Sequence, residues 1–324
     1  MFRGIRFVPD TTTIDFIGKR MIGMLLSGLL VAVSLISLSV QGLNFGIDFA
    51  GGLLIEARTQ QEANLSDMRQ RLNSLGLGDV AITGIGDTGR DVMIRVPKQA
   101  GDEEAQMAAL NAVRGALDAD VDYRRTEVVG PKVGQELVRD GALAVGLAIL
   151  IISAYIWFRF EWQFGVGALV ATIHDVIVTL GVYSLFQIDF DLTTVAALLT
   201  IAGYSINDTV VNYDRVRENL RRYKTTTLGD LINISLNQVL SRTILTSGTT
   251  LIAVLAILIF GGPVLRGFAI GLTWGIVIGT FSSIYVAMPL LLYTGVRREG
   301  DSDGDAEPYA DAEKAAEGDA GARG

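Results

Sequence analysis

In "GYSINDTVVNYDRVREN" (203–219), Asp208 and its neighbour Asn207 come before the apolar run has ended, since Val210 and Val211 still follow. An ionisable residue at the centre of a membrane span costs roughly 2.5–3.5 kcal/mol on insertion scales, so such residues usually face a bundle interior and carry function. Two chemistries fit Asp208 with Ser205, Asn207 and Thr209 around it. Either it takes up and releases a proton inside the membrane, or it is a boundary carboxylate that reaches the interface or caps the helix continuing through "NYDRVREN". Arg242, in "SRTILTSGTTL", offers a partner at similar depth. An arginine there favours the ionised carboxylate, and protonating the aspartate breaks the pair, which makes a proton-sensitive latch. The alternative is an arginine that snorkels to the interface.

The third polar place is "TIHDV", with the chain's only histidine, His174, beside Asp175. Adjacent helical residues point about 100° apart, so these two are expected to pair poorly with each other and to need partners on other helices. Histidine titrates near neutral pH, which leaves a proton relay and a structural hydrogen-bonding pair both open.

Spans must position these residues. The chain has 324 residues, 50% of them hydrophobic, and a mean hydropathy of +0.40, too apolar for an ordinary soluble protein. Six stretches approach the ~20 apolar residues that cross a bilayer: Met21 to Val40, Ala142 to Phe158, Phe164 to Phe186, Leu192 to Val211, Thr243 to Phe260 and Phe268 to Tyr293. Basic residues mark cytoplasmic segments. Arg3, Arg6, Lys19 and Arg20 place residues 1–20 inside, and Arg215, Arg217, Arg221, Arg222 and Lys224 place the loop after the fourth span inside. "QIDFD", without a basic residue, falls outside, and the C-terminus returns inside beside Arg297 and Arg298. The first span follows basic residues as a signal peptide does, but it is too long for an h-region and lacks a small-residue cleavage site, so a retained anchor is expected. Net charge is −8, much of it in the Asp-, Glu-, Gly- and Ala-rich segment 294–324, which is expected to be disordered. There is no cysteine, which excludes disulfides and thiol chemistry.

The segment 41–140 is long enough for a domain, and on this topology it lies on the outer face. It reads strand (Leu53 to Arg58), helix (Ser66 to Leu75), strand (Val80 to Ile85), strand (Val92 to Val96), helix (Glu103 to Leu117) and strand (Tyr123 to Val129). That βαββαβ order is ferredoxin-like. Within it "GIGDTG" (84–89) matches a dinucleotide-binding pattern, but "RDVMIRVP" follows as a strand where the chemistry needs a helix N-terminus, so a hairpin turn is expected. No phosphate-binding G-x-x-x-x-G-K-[ST] loop occurs, and no catalytic residue, metal, cofactor or nucleic-acid partner is assigned. The five remaining spans occupy 141–293, and in the last of them Gly267, Gly271, Gly275 and Gly279 form a stripe for close helix approach, either internally or to a partner chain.

Several of these stretches resemble the SecD/SecF protein-export family: "GLNFGIDFAGG" after the first span, "TEVVGPKVGQEL" before the second, "HDV" in the third and "AALLTIAGYSINDTVVNYDRVREN" in the fourth. "SLNQVLSRTILTSGTT" is similar to the SecF branch in particular. The resemblance runs from the first span to about Tyr293. It implies a SecD partner contributing six more spans, as in resistance–nodulation–division transporters, in the bacterial inner membrane. It further implies association with the SecYEG channel, with YajC and YidC as further partners, and use of the proton gradient to promote preprotein export. The family's proton-coupling carboxylate falls on Asp208 and its arginine on Arg242, with a further essential carboxylate expected from SecD. Gly46, Asp48, Gly51 and Gly52 of "FGIDFAGG" are expected to be structural, the glycines for a tight turn and Asp48 to bond backbone. Two other readings compete: a half-transporter for a small molecule or lipid, and a stabiliser of the channel without proton coupling.

Overall fold

The structure, a computed structural model, describes residues 12–296 except 87, 102 and 118–120. The acidic segment expected to be disordered lies almost wholly outside the described residues. Among the described residues, six helices are long and apolar enough to cross a membrane. They are α1 (Arg20–Val40), α5 (Pro131–Arg159), α6 (Trp162–Leu185), α7 (Leu192–Arg222), α8 (Leu228–Phe260) and a last, composite span. That span runs through α9 (Gly262–Ser282), a π-helical turn (Ser283–Ala287) and α10 (Met288–Thr294). α6, α7 and the last span are the most buried and form the centre, while α1, α5 and α8 flank them. At 31 and 33 residues, α7 and α8 are about 46 and 50 Å long, well beyond a hydrocarbon core of about 30 Å.

Between α1 and α5 lie β1 (Asn44–Phe45), the one-turn α2 (Ile47–Ala50), β2 (Gly52–Arg58), α3 (Leu65–Asn73), β3 (Ala81–Ile85), β4 (Asp91–Pro97), α4 (Glu103–Ala116) and β5 (Asp122–Val129). β2 to β5 make one sheet in the order β3-β4-β2-β5, antiparallel throughout, which is the strand order that the βαββαβ reading requires. Strand alternation builds its core. Leu53, Ile55, Ala57, Ile82, Val92, Ile94 and Val96 pack on Met68 and Leu72 of α3 and on Ala109, Leu110 and Val113 of α4. The glycine pattern at 84–89 is the end of β3 and the turn into β4, as expected for a hairpin; residue 87 of it lies outside the described residues.

A bidentate pair from Arg58 (Nε and Nη2 to the Asp91 carboxylate, both 2.6 Å) joins the ends of β2 and β4. The bond from Arg58 holds the Asp91 carboxyl below the usual aspartate range. A group whose folded value is depressed stabilises the fold above its unfolded value and loses that contribution as pH falls through the folded value. Asp91→Asn is therefore expected to lower the thermal midpoint of the sheet domain slightly at pH 7, and the gap from wild type is expected to narrow as pH falls below the ordinary aspartate value of about 4.

The glycine stripe serves internal packing. An added Cβ at Gly271 would sit 2.0 Å from the Tyr183 hydroxyl of α6, at Gly275 2.3 Å from Ile201 of α7, and at Gly279 3.1 Å from Ser205 of α7. Tyr183 is fully buried and donates to the Gly267 carbonyl at 2.9 Å, so it has no room to yield. Gly271→Val is expected to cost about 3 kcal/mol or more through overpacking. Chain level in the membrane and the midpoint of detergent-solubilised protein measure it.

Candidate functional site

Asp208 lies 16 residues into α7, about 24 Å along the helix from the end nearest the sheet domain. Its side chain is 6% exposed and is bonded by hydroxyls from two other helices. Thr243 of α8 donates to Oδ1 at 3.0 Å, and Ser283, the first residue of the π turn, donates to Oδ2 at 2.7 Å. The turn has a local cause. Pro289 has no N–H to give to the Tyr285 carbonyl and its ring crowds that carbonyl, so the helix widens just before it. π turns of this kind occur frequently at functional sites.

Arg242 is not in that shell. It sits one residue before Thr243, and its side chain lies on the exposed face of α8; among the described residues it forms no ion pair with Asp208. Asn207 is also exposed, whereas Ser205 is buried. Ser205 donates 2.5 Å to Asp175 Oδ2. Asp175, fully buried in α6, also accepts from Ser282 at 2.8 Å.

His174 and Asp175 were expected to pair poorly, and the structure corrects this: His174 Nδ1 lies 2.9 Å from Asp175 Oδ1. The 100° offset separates side chains that extend straight outward. Nδ1, however, is only two bonds from Cβ, and an aspartate is short, so both atoms stay close to the shared backbone and meet sideways. The other imidazole nitrogen, Nε2, is buried without a hydrogen-bond partner among the described residues. Thr209 Oγ1, both amide atoms of Asn212 and the Tyr213 hydroxyl are buried and unpartnered in the same sense. Asn212 is one helical turn past Asp208, toward the end away from the sheet domain.

The junction motif ties this bundle to the sheet. Gly51 and Gly52 have φ of +75° and +128°, which favours glycine. Asp48 Oδ2 accepts from the Leu192 backbone N–H at 2.9 Å, so it caps the sheet-side end of α7 from elsewhere in the chain. A short strand β6 (Asp189–Phe190), between α6 and α7, pairs in parallel with β1. Arg95 of β4 reaches Asp189 at 2.6 Å, and Asn44 donates to the same carboxylate at 2.8 Å. The helix that carries Asp208 is thereby anchored to the sheet domain at its first turn. Neither the β1–β6 pairing nor the Arg95–Asp189 contact was visible in the sequence; two-residue strands have no periodicity to detect.

Comparison with known proteins places this geometry. Residues 109–297, more than half of the chain, match the family model described as protein export membrane protein SecD/SecF, C-terminal, and residues 36–63 match the SecD/SecF GG motif. The protein translocase subunit SecF of Cereibacter sphaeroides is 47% identical over 304 residues, covering 91% of this chain and 94% of that one. The subunit of the same name from Rickettsia rickettsii is 44% identical over 291 residues, 89% and 94% of the two chains. The crystal structure of SecDF from Thermus thermophilus, a translocon-associated membrane protein, superposes with a TM-score of 0.76 at 36% identity over 88% of this chain. A second SecDF structure, in a super-membrane-facing form, gives a TM-score of 0.62 at the same identity. The match spans 39% of the first SecDF chain and 38% of the second. The chain belongs to the SecD/SecF family of protein-export membrane proteins, and within it to the SecF branch.

Proposed function

We propose that this chain is an accessory subunit of preprotein export driven by the proton gradient, with Asp208 as the carboxylate that the gradient charges and neutralises. It works with a SecD partner and the SecYEG channel, with YajC and YidC as further partners, in the bacterial inner membrane. Both termini are cytoplasmic and the sheet domain is periplasmic, as the basic loops require. Its role is translocation, and no catalytic residue is proposed.

The observation that carries the reading is the environment of Asp208. A carboxylate at membrane depth is held by two hydroxyls, from Thr243 and Ser283, instead of by a fixed countercharge. Hydroxyls both donate and accept, so they can bond either protonation state after a rotation. Arg242, one residue from Thr243 and outward-facing, is placed to meet a partner chain or to swing toward the carboxylate when the helices shift. Unpartnered buried groups at Thr209, Asn212 and Tyr213 add hydrogen-bonding capacity beside and past Asp208. Buried polar groups are normally satisfied by protein or ordered water, so this end of the bundle favours proton exchange with the cytoplasm. The anchor of α7 to the sheet through Asp48 and through Arg95–Asp189 gives a change in helix packing a route to the outer domain.

The test is export of a preprotein into inverted vesicles that contain the channel and SecD, with or without this chain. Adding the chain is expected to create a component of export that an uncoupler removes. An equal gain with and without a gradient would leave a stabiliser of the channel as the better reading.

A further inference from the structure

Asp175 is a second buried carboxylate inside a membrane span. Burying a carboxylate costs several kcal/mol unless well-placed donors surround it. The groups around Asp175 are Ser205 of α7 at 2.5 Å, Ser282 of α9 at 2.8 Å and His174 of its own helix at 2.9 Å. Two of these positions adjoin the Asp208 site. Ser205 is one turn before Asp208 on α7, and Ser282 directly precedes Ser283, whose hydroxyl bonds Asp208 at 2.7 Å. Asp175 therefore holds α7 and the last residue of α9, and Asp208, itself on α7, holds the next residue, the first of the π turn. The ionisable groups near this junction are His174 from α6, Asp208 from α7 and, facing outward, Arg242 from α8.

We infer that Asp175 is a second working residue of the proton-coupling site, a positioning residue that sets where Ser283 meets Asp208 by holding Ser205 and Ser282. This rests on the role proposed for Asp208. The π turn makes the arrangement responsive, because a widened turn beside Pro289 shifts register more easily than a regular helix does. A change in the contacts of Asp175 moves Ser282, and Ser283 moves with it. The same linkage works in reverse, so neutralising Asp208 loosens the grip of Asp175 on α9.

The experiment uses the chain with its partner subunits in inverted vesicles, comparing the uncoupler-sensitive part of export with the uncoupler-resistant part. Asp175→Asn is expected to reduce the ratio of the first to the second at least fivefold, with chain and partner at wild-type level in the membrane. Ser282→Ala is expected to reduce it at least twofold, and Ser282→Thr, which keeps the hydroxyl, to recover most of the loss. A purely packing role predicts the reverse order for these two, since threonine is the bulkier in a fully buried place. A wild-type ratio for Asp175→Asn overturns the inference, as does an equal fall in both parts of export. If Asp175→Asn does not assemble, the Ser282 pair decides, and a wild-type ratio for Ser282→Ala counts against the inference. Asp208→Asn in the same vesicles separates the two claims. Without effect there, the proposed function itself fails; loss with Asp208→Asn but not with Asp175→Asn strikes only the role of Asp175.

Discussion

Asp208→Asn is expected to abolish the gradient-dependent part of export, a loss of at least tenfold in that component, while the chain still inserts and assembles. The scale follows from the driving force. One charge crossing 100 mV is worth about 2.3 kcal/mol, a factor of roughly fifty in an equilibrium between two packings. Asparagine removes the charge and keeps the shape. Its carbonyl oxygen still accepts from Thr243, and its amide replaces the oxygen that faces Ser283. Ser283 has a second acceptor in the Thr280 carbonyl at 2.9 Å, so its hydroxyl can turn there and accept from the amide. Each polar atom at the site keeps a partner, and the fold is expected to survive. Export that still responds fully to an uncoupler would show that the carboxylate is not titrated in the cycle.

The second large effect is structural. Gly52→Ala is expected to destabilise the sheet domain by about 3 kcal/mol or more, from two independent sources. Its φ of +128° is strained for any residue with a side chain, which alone costs on the order of 1–3 kcal/mol. A Cβ would also lie 2.4 Å from the Val96 carbonyl oxygen, which belongs to the backbone of β4 and cannot rotate away. The first rung of the β2–β4 ladder, Gly52 opposite Pro97, would have to open. Because β2 is central in the sheet, between β4 and β5, the damage reaches both neighbours. Protease resistance of the sheet domain in membranes opened to the protease on both sides reads the effect. A resistance equal to wild type would mean that the junction relaxes in a way this packing does not suggest.

Much of the architecture was legible because apolar length and strand alternation are local signals. The six spans and the six elements of the sheet domain appear in the expected order, with most boundaries within two residues. The starts of α5 and α8 were not legible. Their first turns carry Lys132, Glu136, Arg139 and Asp230, so they are helical without being apolar, and hydropathy marks only the part that meets lipid. The site was half legible. Asp208 and Asp175 stood out as charges in apolar runs, but their partners Thr243, Ser282 and Ser283 did not. Hydroxyls in spans commonly bond the carbonyl four residues back, as Thr249 and Thr250 do here, so sequence does not tell a ligand of a carboxylate from an ordinary serine or threonine. The adjacent serines just after the last glycine of the stripe were the available signal. Arg242 was recognised by type, but its outward direction depends on the rotation of α8, which only the packing of Thr243 against α7 fixes.

The central claim is that Asp208 itself exchanges a proton, and infrared difference spectroscopy tests it most directly. Membranes containing the chain and its partner subunits would be stepped between neutral and acidic pH, and the carboxylic-acid carbonyl band recorded for wild type and for Asp208→Asn. The account predicts a reversible band in wild type that is missing in the variant. Identical difference spectra for the two would contradict it, and Asp208 would then be a fixed structural group of the bundle.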